Sequence, residues 1–277
     1  MLPRRVYIML FNINGINMVD ELAYLVDLSA GALSRRILGL KVLPGFFILK
    51  DVTVRIKDRE NSLFLCRAGT DEICHVIPNF EPKTWEFIKS ITTRGDVIID
   101  VGANIGTYTV PLARKVGMDG LVVALEPSPV CKTLSFNVAI NGLENVVVIN
   151  KAAYSKRKIM NLYYTPQKTG LTSLYSDWTA KASTHKCSIE VEVLPLDELL
   201  RSLELKKVRL LKIDVEGAEK DVLQGARNIL EITDFCVFEA RPNTIKDCKK
   251  ILMEEGFKKI TILEQWSDLA NYVATKG

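Results

Sequence analysis

Paired cysteines, cysteine–histidine clusters, long apolar runs and a strong charge of either sign are all missing from this chain, and each absence excludes a class of function. The six cysteines, at 66, 74, 131, 187, 236 and 248, contain no C-x-x-C pair and no cluster with the two histidines, His75 and His185. Neither a zinc site nor a disulfide framework is therefore signalled, and the thiols read as buried small hydrophobes suited to a reducing compartment. Lys+Arg 37 against Asp+Glu 33 leaves a formal charge of +4, too small an excess for a general nucleic-acid binder. No run of about 18 apolar residues occurs, so no transmembrane helix is expected. Arg4 and Arg5 before Val6 to Phe11 look like the start of a secretory signal, but Asn12, Asn14 and Asn17 break it and no small-residue cleavage site follows. A cytoplasmic protein is the expectation. Internal repeats and low-complexity tracts are absent too, which sets aside solenoids and long disordered tails.

What is present changes character along the chain. Residues 18–39 carry apolar positions at helical spacing, and Pro44-Gly45 ends that helix. Phe46 to Cys66 reads as a β-hairpin about the polar stretch KDREN, and Glu81 to Ile91 as a short helix with proline in its first turn. Residues 1–80 are thus an extension (helix and hairpin) ahead of a domain at 81–277. After Gly95 strands and helices alternate: DVIIDVG, a helix over 106–116, LVVALE, a helix over 128–141, then NVVVIN. Residues 151–195 interrupt with extended pieces at 158–164 and 187–194 around a polar, Ser/Thr-rich middle. Alternation resumes with VRLLKIDV, a helix near 218–230, DFCVFEA, a helix near 244–255 and FKKITIL. Such alternation predicts a doubly wound α/β fold of parallel strands. Residues 270–275 follow FKKITIL after too short a connection for a crossover, so the last strand must return antiparallel.

The strongest local signal is D-V-G-A-N-I-G at 100–106, where the first strand turns into the first helix. Glycines there let the backbone approach a ligand, and open amides at a helix start supply donors. Glu126, twenty positions beyond Gly106, ends the second strand, where a carboxylate can accept from both hydroxyls of a ribose. A nicotinamide site would want G-x-G-x-x-G, yet Asn104 stands where the second glycine should admit a pyrophosphate. The pattern suits S-adenosylmethionine, which has no phosphate, better than a dinucleotide.

These residues resemble the FkbM-type methyltransferases. The resemblance is carried by D-V-G-A-N-I-G-T-Y-T at 100–109, A-L-E-P-S-P at 124–129, N-V-x-x-x-x-x-A at 145–152, L-D-E-L at 196–199 and K-I-D-V-E-G-A-E at 212–219. The last motif discriminates, because other class I methyltransferases share the glycine loop. The resemblance implies a Rossmann-like, mostly parallel seven-stranded sheet with a C-terminal antiparallel hairpin, S-adenosylmethionine as cofactor, and methylation of a hydroxyl on a sugar, glycan or secondary metabolite. It implies cofactor contacts from Asp100, Gly102, Ala103, Asn104 and Gly106 in the loop. Glu126 would serve the ribose, Ala152 the adenine side, and Asp214 would contact the cofactor as well as the acceptor. Nothing carries over to residues 1–80.

Asp214 and Glu216 lie at the carboxyl end of the fourth parallel strand, where ligands bind in open α/β sheets. Methyl transfer to an alcohol needs a proton acceptor near the hydroxyl, so these two are the catalytic candidates, with Glu219 behind them. The bland alternative is that the three carboxylates pin the loop and favour a helix dipole. A metal is not expected, because the acids come from one segment unless Glu239, closing VFEA, contributes. His185, in the polar insertion, is the better histidine candidate, and His75 reads as packed. Tyr108, Tyr163, Tyr164 and Trp178 are candidates to stack on a sugar. The alternatives are an RNA methyltransferase, favoured by KKVRLLK and the KRK run at 156–158, a binding protein that kept the fold without catalysis, and a dehydrogenase. Nucleic acid is disfavoured as a partner because Asp214-Val215-Glu216-Gly217 is unlike the base-methylating motifs and would repel phosphate. A homo-oligomer and peripheral contact with a membrane are left open.

Overall fold

The structure is a computed structural model that describes residues 13–15, 50–77, 80–177, 187–266 and 269–277. The helix expected over 18–39, the first residues of the expected hairpin, Trp178 and His185 lie outside them.

The main body is a seven-stranded sheet. Its parallel part comprises β4 (Val97–Val101), β5 (Leu121–Leu125), β6 (Val146–Ile149), β11 (Val208–Ile213) and β12 (Thr233–Ala240). With β13 (Lys259–Trp266) and β14 (Leu269–Thr275), the order is β13-β14-β12-β11-β4-β5-β6. β14 runs antiparallel to both of its neighbours, as the short connection after FKKITIL requires. Near-continuous apolar runs such as Val97-Ile98-Ile99 form these strands because both faces are covered; Ile98 and Ile99 are fully buried on opposite sides.

The flanking helices are α1 (Pro82–Ile91), α2 (Thr109–Val116), α3 (Cys131–Ile140), α4 (Leu196–Leu199), α5 (Glu219–Gln224), α6 (Arg227–Glu231) and α7 (Ile245–Glu254). Helix α3 starts three residues later than expected, at Cys131, and two further differences from the sequence reading have a visible cause. Helix α2 begins three residues later than Gly106, because residues 104–108 are turns. The helix expected over 218–230 is two short ones, broken at Gly225. A Cβ on Gly225 would stand 2.0 Å from the Tyr154 carbonyl oxygen, so close packing against the neighbouring chain selects glycine there.

The interruption at 151–195 is a second sheet. β7 (Ala152–Ala153), β8 (Lys158–Thr165), β9 (Lys168–Ser173) and β10 (Cys187–Leu194) pair in the order β7-β10-β8-β9. β9 went unread in the sequence because it is polar, K-T-G-L-T-S, and lacks apolar alternation.

In the extension, β2 (Val52–Ile56) and β3 (Ser62–Cys66) form the expected hairpin, joined by β1 (Ile13–Gly15), which the sequence did not signal. Alternate residues of the hairpin are buried, and Val54 and Phe64 share a core cluster with Ile105 and Leu134 of the main body. The backbone of β3 is also received by α3. Asn137 Oδ1 accepts from the Leu65 amide at 2.7 Å, and Asn141 Oδ1 accepts from the Leu63 amide at 2.9 Å. Two asparagines one helical turn apart therefore act as the next strand of that sheet.

Candidate active site

A cleft of about 670 Å³ opens at the carboxyl ends of β4, β5, β11 and β12, and its lining runs from Gly102 and Glu126 at one end to Asp214, Glu216 and Glu239 at the other. This is the crevice in which open α/β sheets bind ligands.

The loop after β4 forms one wall. Gly102 has φ +85, and a Cβ on it would lie 1.8 Å from the Asp214 carbonyl oxygen, so only glycine lets the β4 and β11 ends approach this closely. The sequence suggested open amides here, but they are taken. Gly102 and Ala103 both donate to the Leu125 carbonyl, Asn104 donates to Glu126 Oε2 at 2.9 Å, and Gly106 donates to the Ala103 carbonyl. The loop folds back to finish the neighbouring strand and leaves these amides with protein partners. What faces the ligand from it is an acceptor: Asn104 Oδ1 is buried without a partner.

Glu126 follows β5, 5% exposed, on the cleft wall. Its other oxygen accepts from the Ser128 amide at 3.0 Å. Burial raises its carboxyl above the usual range, against the hydrogen bonds from Ser128 and Asn104. Each oxygen keeps a lone pair for a ribose hydroxyl. Leu125, Lys151, Ala152 and Ala153 continue the wall, giving small apolar surface for a flat base.

Asp100, Ala103 and Gly106 do not line the cleft. Asp100 is 1% exposed, accepts from Thr109 Oγ1 at 2.7 Å, and lies 3.9 Å from Lys212 Nζ. Gly106 is a packing glycine, since its Cβ would meet Leu134 Cδ1 at 2.8 Å. These three support the wall from behind, because the strand ends before the chain turns toward the ligand.

The far wall is acidic. Lys212 Nζ reaches Asp214 Oδ2 at 3.0 Å and sits 4.7 Å from the centre of the Tyr108 ring. Burial would lower the Lys212 ammonium, yet Asp214, Asp100 and Glu81 outweigh it and hold it above its ordinary value. Glu219 Oε1 accepts from the Val215 and Gly217 amides at 3.2 and 3.0 Å, so this carboxylate pins the loop while Asp214 and Glu216 face the cleft. Burial pushes Glu219 up to about 7. Glu239 closes the set on β12, and burial followed by Asp214 and Glu216 pushes it up to about 11. Asn104, Glu216 and Glu81 carry φ of +50, +53 and +46, and all three line the cleft. Left-handed backbone at non-glycine residues costs about 1 kcal/mol or more each, and such strain gathers at functional sites.

Other sequence candidates are placed as follows. His75 lines the cleft from the extension, packs edge-on against Phe80 and lies 3.6 Å from Asp71 Oδ1. Tyr108 is 4% exposed and donates to Glu81 Oε2 at 2.5 Å, so it belongs to the buried network and offers no face to a sugar. Tyr163 and Tyr164 do not line the cleft; Trp266, at its lip and 38% exposed, does. Only its place at the end of β13 marks Trp266, and sequence reasoning passed over it. Of the basic residues of KKVRLLK, Arg209 and Lys207 lie toward the start of β11, where Arg209 bonds to Asp96 and Asp234 and Lys207 pairs with Asp234, while Lys212 belongs to the acidic wall. Arg157 of the KRK run pairs with Glu192 and Glu198.

The donor set fits S-adenosylmethionine. A ribose has Glu126, an ammonium has the orphaned Asn104 Oδ1 and Asp214, adenine has the alanine wall, and the loop where a pyrophosphate would bind has no free amides among Gly102, Ala103 and Asn104. Fold and cleft together are those of a Rossmann-like methyltransferase with S-adenosylmethionine as its cofactor. The chain belongs to the FkbM methyltransferase family: the Methyltransferase FkbM domain matches residues 100–265. It is 32% identical over 196 residues to Methyltransferase 1 of Beauveria bassiana, covering 64% of this chain and 78% of that one. It is 30% identical over 164 residues to the hexuronic acid methyltransferase AglP of Haloferax volcanii, covering 57% and 62%. Among solved structures, the 16S rRNA N2 G1207 methyltransferase RsmC of T. thermophilus, in complex with AdoMet and guanosine, superimposes with a TM-score of 0.49 at 15% identity, covering 86% of this chain and 53% of that one. Among the described residues no helix is long and apolar enough to cross a membrane.

Proposed function

We propose that the protein is an O-methyltransferase acting on a hydroxyl of a sugar, glycan or other hydroxylated small molecule. The observation that carries this reading is that one cleft joins the Glu126 wall to the Asp214–Glu216 wall, so a donor held at one end meets carboxylates at the other. S-adenosylmethionine supplies, when bound, a methyl group on a positively charged sulfur that leaves as a neutral thioether. Glu126, Asn104 and the alanine wall hold that cofactor. Asp214 and Glu216 face the acceptor, where a carboxylate takes the hydroxyl proton as the oxygen forms its bond to the methyl carbon. An alcohol is a weak acid, so the proton moves in the transition state. Trp266 offers an exposed ring at the lip on which a sugar can stack. The hexuronic acid named for one relative supports a sugar acceptor. The acidic far wall and the ion-paired basic runs weigh against a polyphosphate acceptor such as RNA.

The test is calorimetric titration with S-adenosylmethionine and S-adenosylhomocysteine, followed by S-adenosylhomocysteine formation across a panel of sugars and uronic acids. Binding that drops about tenfold or more in Glu126→Ala, with turnover on a hydroxylated acceptor that is lost in Asp214→Asn, is the expected result. Turnover on RNA alone, or binding indifferent to Glu126, sinks the reading.

A further inference from the structure

One carboxylate at the acceptor end of the cleft is buried without a partner, and its neighbours make the lack acute. Single oxygens of Asp214, Glu216 and Glu239 all lie within 4.8 Å of one another. They converge from adjacent strand ends: Asp214 and Glu216 follow β11, Glu239 lies near the end of β12, and the two strands pair with Ile213 opposite Phe238. Glu239 is 6% exposed and lines the cleft, yet its Oε1 has no hydrogen-bond partner. A carboxylate oxygen taken out of water with neither a donor nor a cation is costly, so it marks a place for a positive ligand. Lys212 does not fill it, because its ammonium is bonded to Asp214 Oδ2 and lies near Asp100.

We infer that Asp214, Glu216 and Glu239 form a binding site for one divalent cation of the oxygen-preferring kind, Mg²⁺ or Mn²⁺ in size and charge. Oxygens around such an ion lie about 2.0–2.6 Å from it, and so within roughly 5 Å of one another, and the three found here lie within 4.8 Å. Three protein oxygens leave open positions on the ion. Its role rests on the proposed methyl transfer: neighbouring oxygens of the acceptor would occupy those positions, and a hydroxyl on the ion would give up its proton more readily to the Glu216 oxygen that the ion does not take. Glu239 is then a ligand, the contribution from the close of VFEA that the sequence left open.

The experiment is titration of the EDTA-treated full chain with Mn²⁺, following free Mn²⁺ by electron paramagnetic resonance, with Mg²⁺ as competitor and S-adenosylhomocysteine binding measured in parallel. One Mn²⁺ per chain with sub-millimolar affinity is expected, displaced by Mg²⁺ and weakened about tenfold or more in Glu239→Gln and in Glu216→Gln. Glu216→Gln is included because it changes a partly exposed loop residue and leaves the buried β12 end intact. Absence of Mn²⁺ binding, or binding equal in wild type and both variants, overturns the site. S-adenosylhomocysteine binding without Mn²⁺ binding removes the metal and leaves the methyltransferase; Mn²⁺ binding on a chain that methylates no hydroxylated acceptor leaves the site and removes its proposed role.

Discussion

A Cβ placed on Gly102 would come within 1.8 Å of the carbonyl oxygen of Asp214, so the turn after β4 and the acidic segment after β11 are held together by backbone contact. The Asp214 amide in turn donates to the Val101 carbonyl at 2.9 Å. Gly102→Ala must push these strand ends apart, in addition to placing alanine at φ +85. Because backbone is the obstacle, no side chain can rotate away. The expected outcome is a loss of about 2–4 kcal/mol in stability and at least tenfold weaker S-adenosylhomocysteine binding, read by urea unfolding and calorimetry.

Lys212 is 5% exposed, and its ammonium serves Asp214 at 3.0 Å and Asp100 at 3.9 Å. Lys212→Met keeps most of the volume and removes the charge, leaving Asp100 with only Thr109 as a side-chain hydrogen-bond donor. Breaking a buried pair from one side costs about 3–5 kcal/mol. Adding Asp100→Asn to that variant should return part of the loss, since the stranded charge is then gone. Unfolding of the two variants in urea checks this; equal stability of Lys212→Met and wild type would show that the ammonium neutralises neither acid.

The parallel sheet was legible in the sequence because its strands are apolar on both faces and punctuated by glycine turns, and the cleft followed from where Asp100-Val101-Gly102 and Asp214-Val215-Glu216 end their strands. The place of Glu126 on the cleft wall was legible by spacing alone. What escaped depends on contacts between distant segments. The sequence of β9 is polar because Thr169 and its neighbours are bonded to the extension, with Asp71 Oδ1 accepting from the Thr169 amide at 2.8 Å. Trp266 meets the cleft only once the strand order is known, and the same order decides the contribution of Glu239 that the sequence left open. Gly106 looks like a cofactor residue in the motif and is a packing residue in space, because Leu134 of the next helix fills the room a side chain would take.

Asn137 is fully buried, with Oδ1 accepting from the Leu65 amide and Nδ2 donating to the Ile105 carbonyl at 2.9 Å. It joins the hairpin of the extension to the loop that carries the cofactor wall. We therefore propose that the hairpin and the main body unfold together. Asn137→Ala strands a backbone donor and a backbone acceptor, at about 1–3 kcal/mol apiece. The expected result is a single cooperative transition, lowered by several degrees, with hydrogen-exchange protection lost in both β3 and the residues after β4. Loss confined to β3 would show the extension to be a separate unit.

The contact between Asp71 and His75 gives the extension's hold on β9 a pH dependence. Burial would lower the His75 imidazole, but the Asp71 carboxylate, followed by Glu81 and Asp214, raises it above its ordinary 6.5. Burial would raise Asp71, but His75 and the Thr169 donors bring it below its ordinary 3.8. A histidine whose folded value is raised contributes stability fully below its unfolded value and loses it as pH rises through the folded one. The carboxylate contributes above about 4 and loses this as pH falls below it. The pair is thus at full strength from about pH 4 to 6.5 and fades as pH rises through the raised imidazole value. His75→Gln should cost about 1 kcal/mol at pH 5.5 and less at pH 8.5, since the charged imidazole is lost as pH rises. Thermal unfolding of both proteins at the two pH values, with exchange of the Thr169 amide as the local probe, measures this; a cost equal at both values would assign His75 to packing against Phe80 and Gly170 alone.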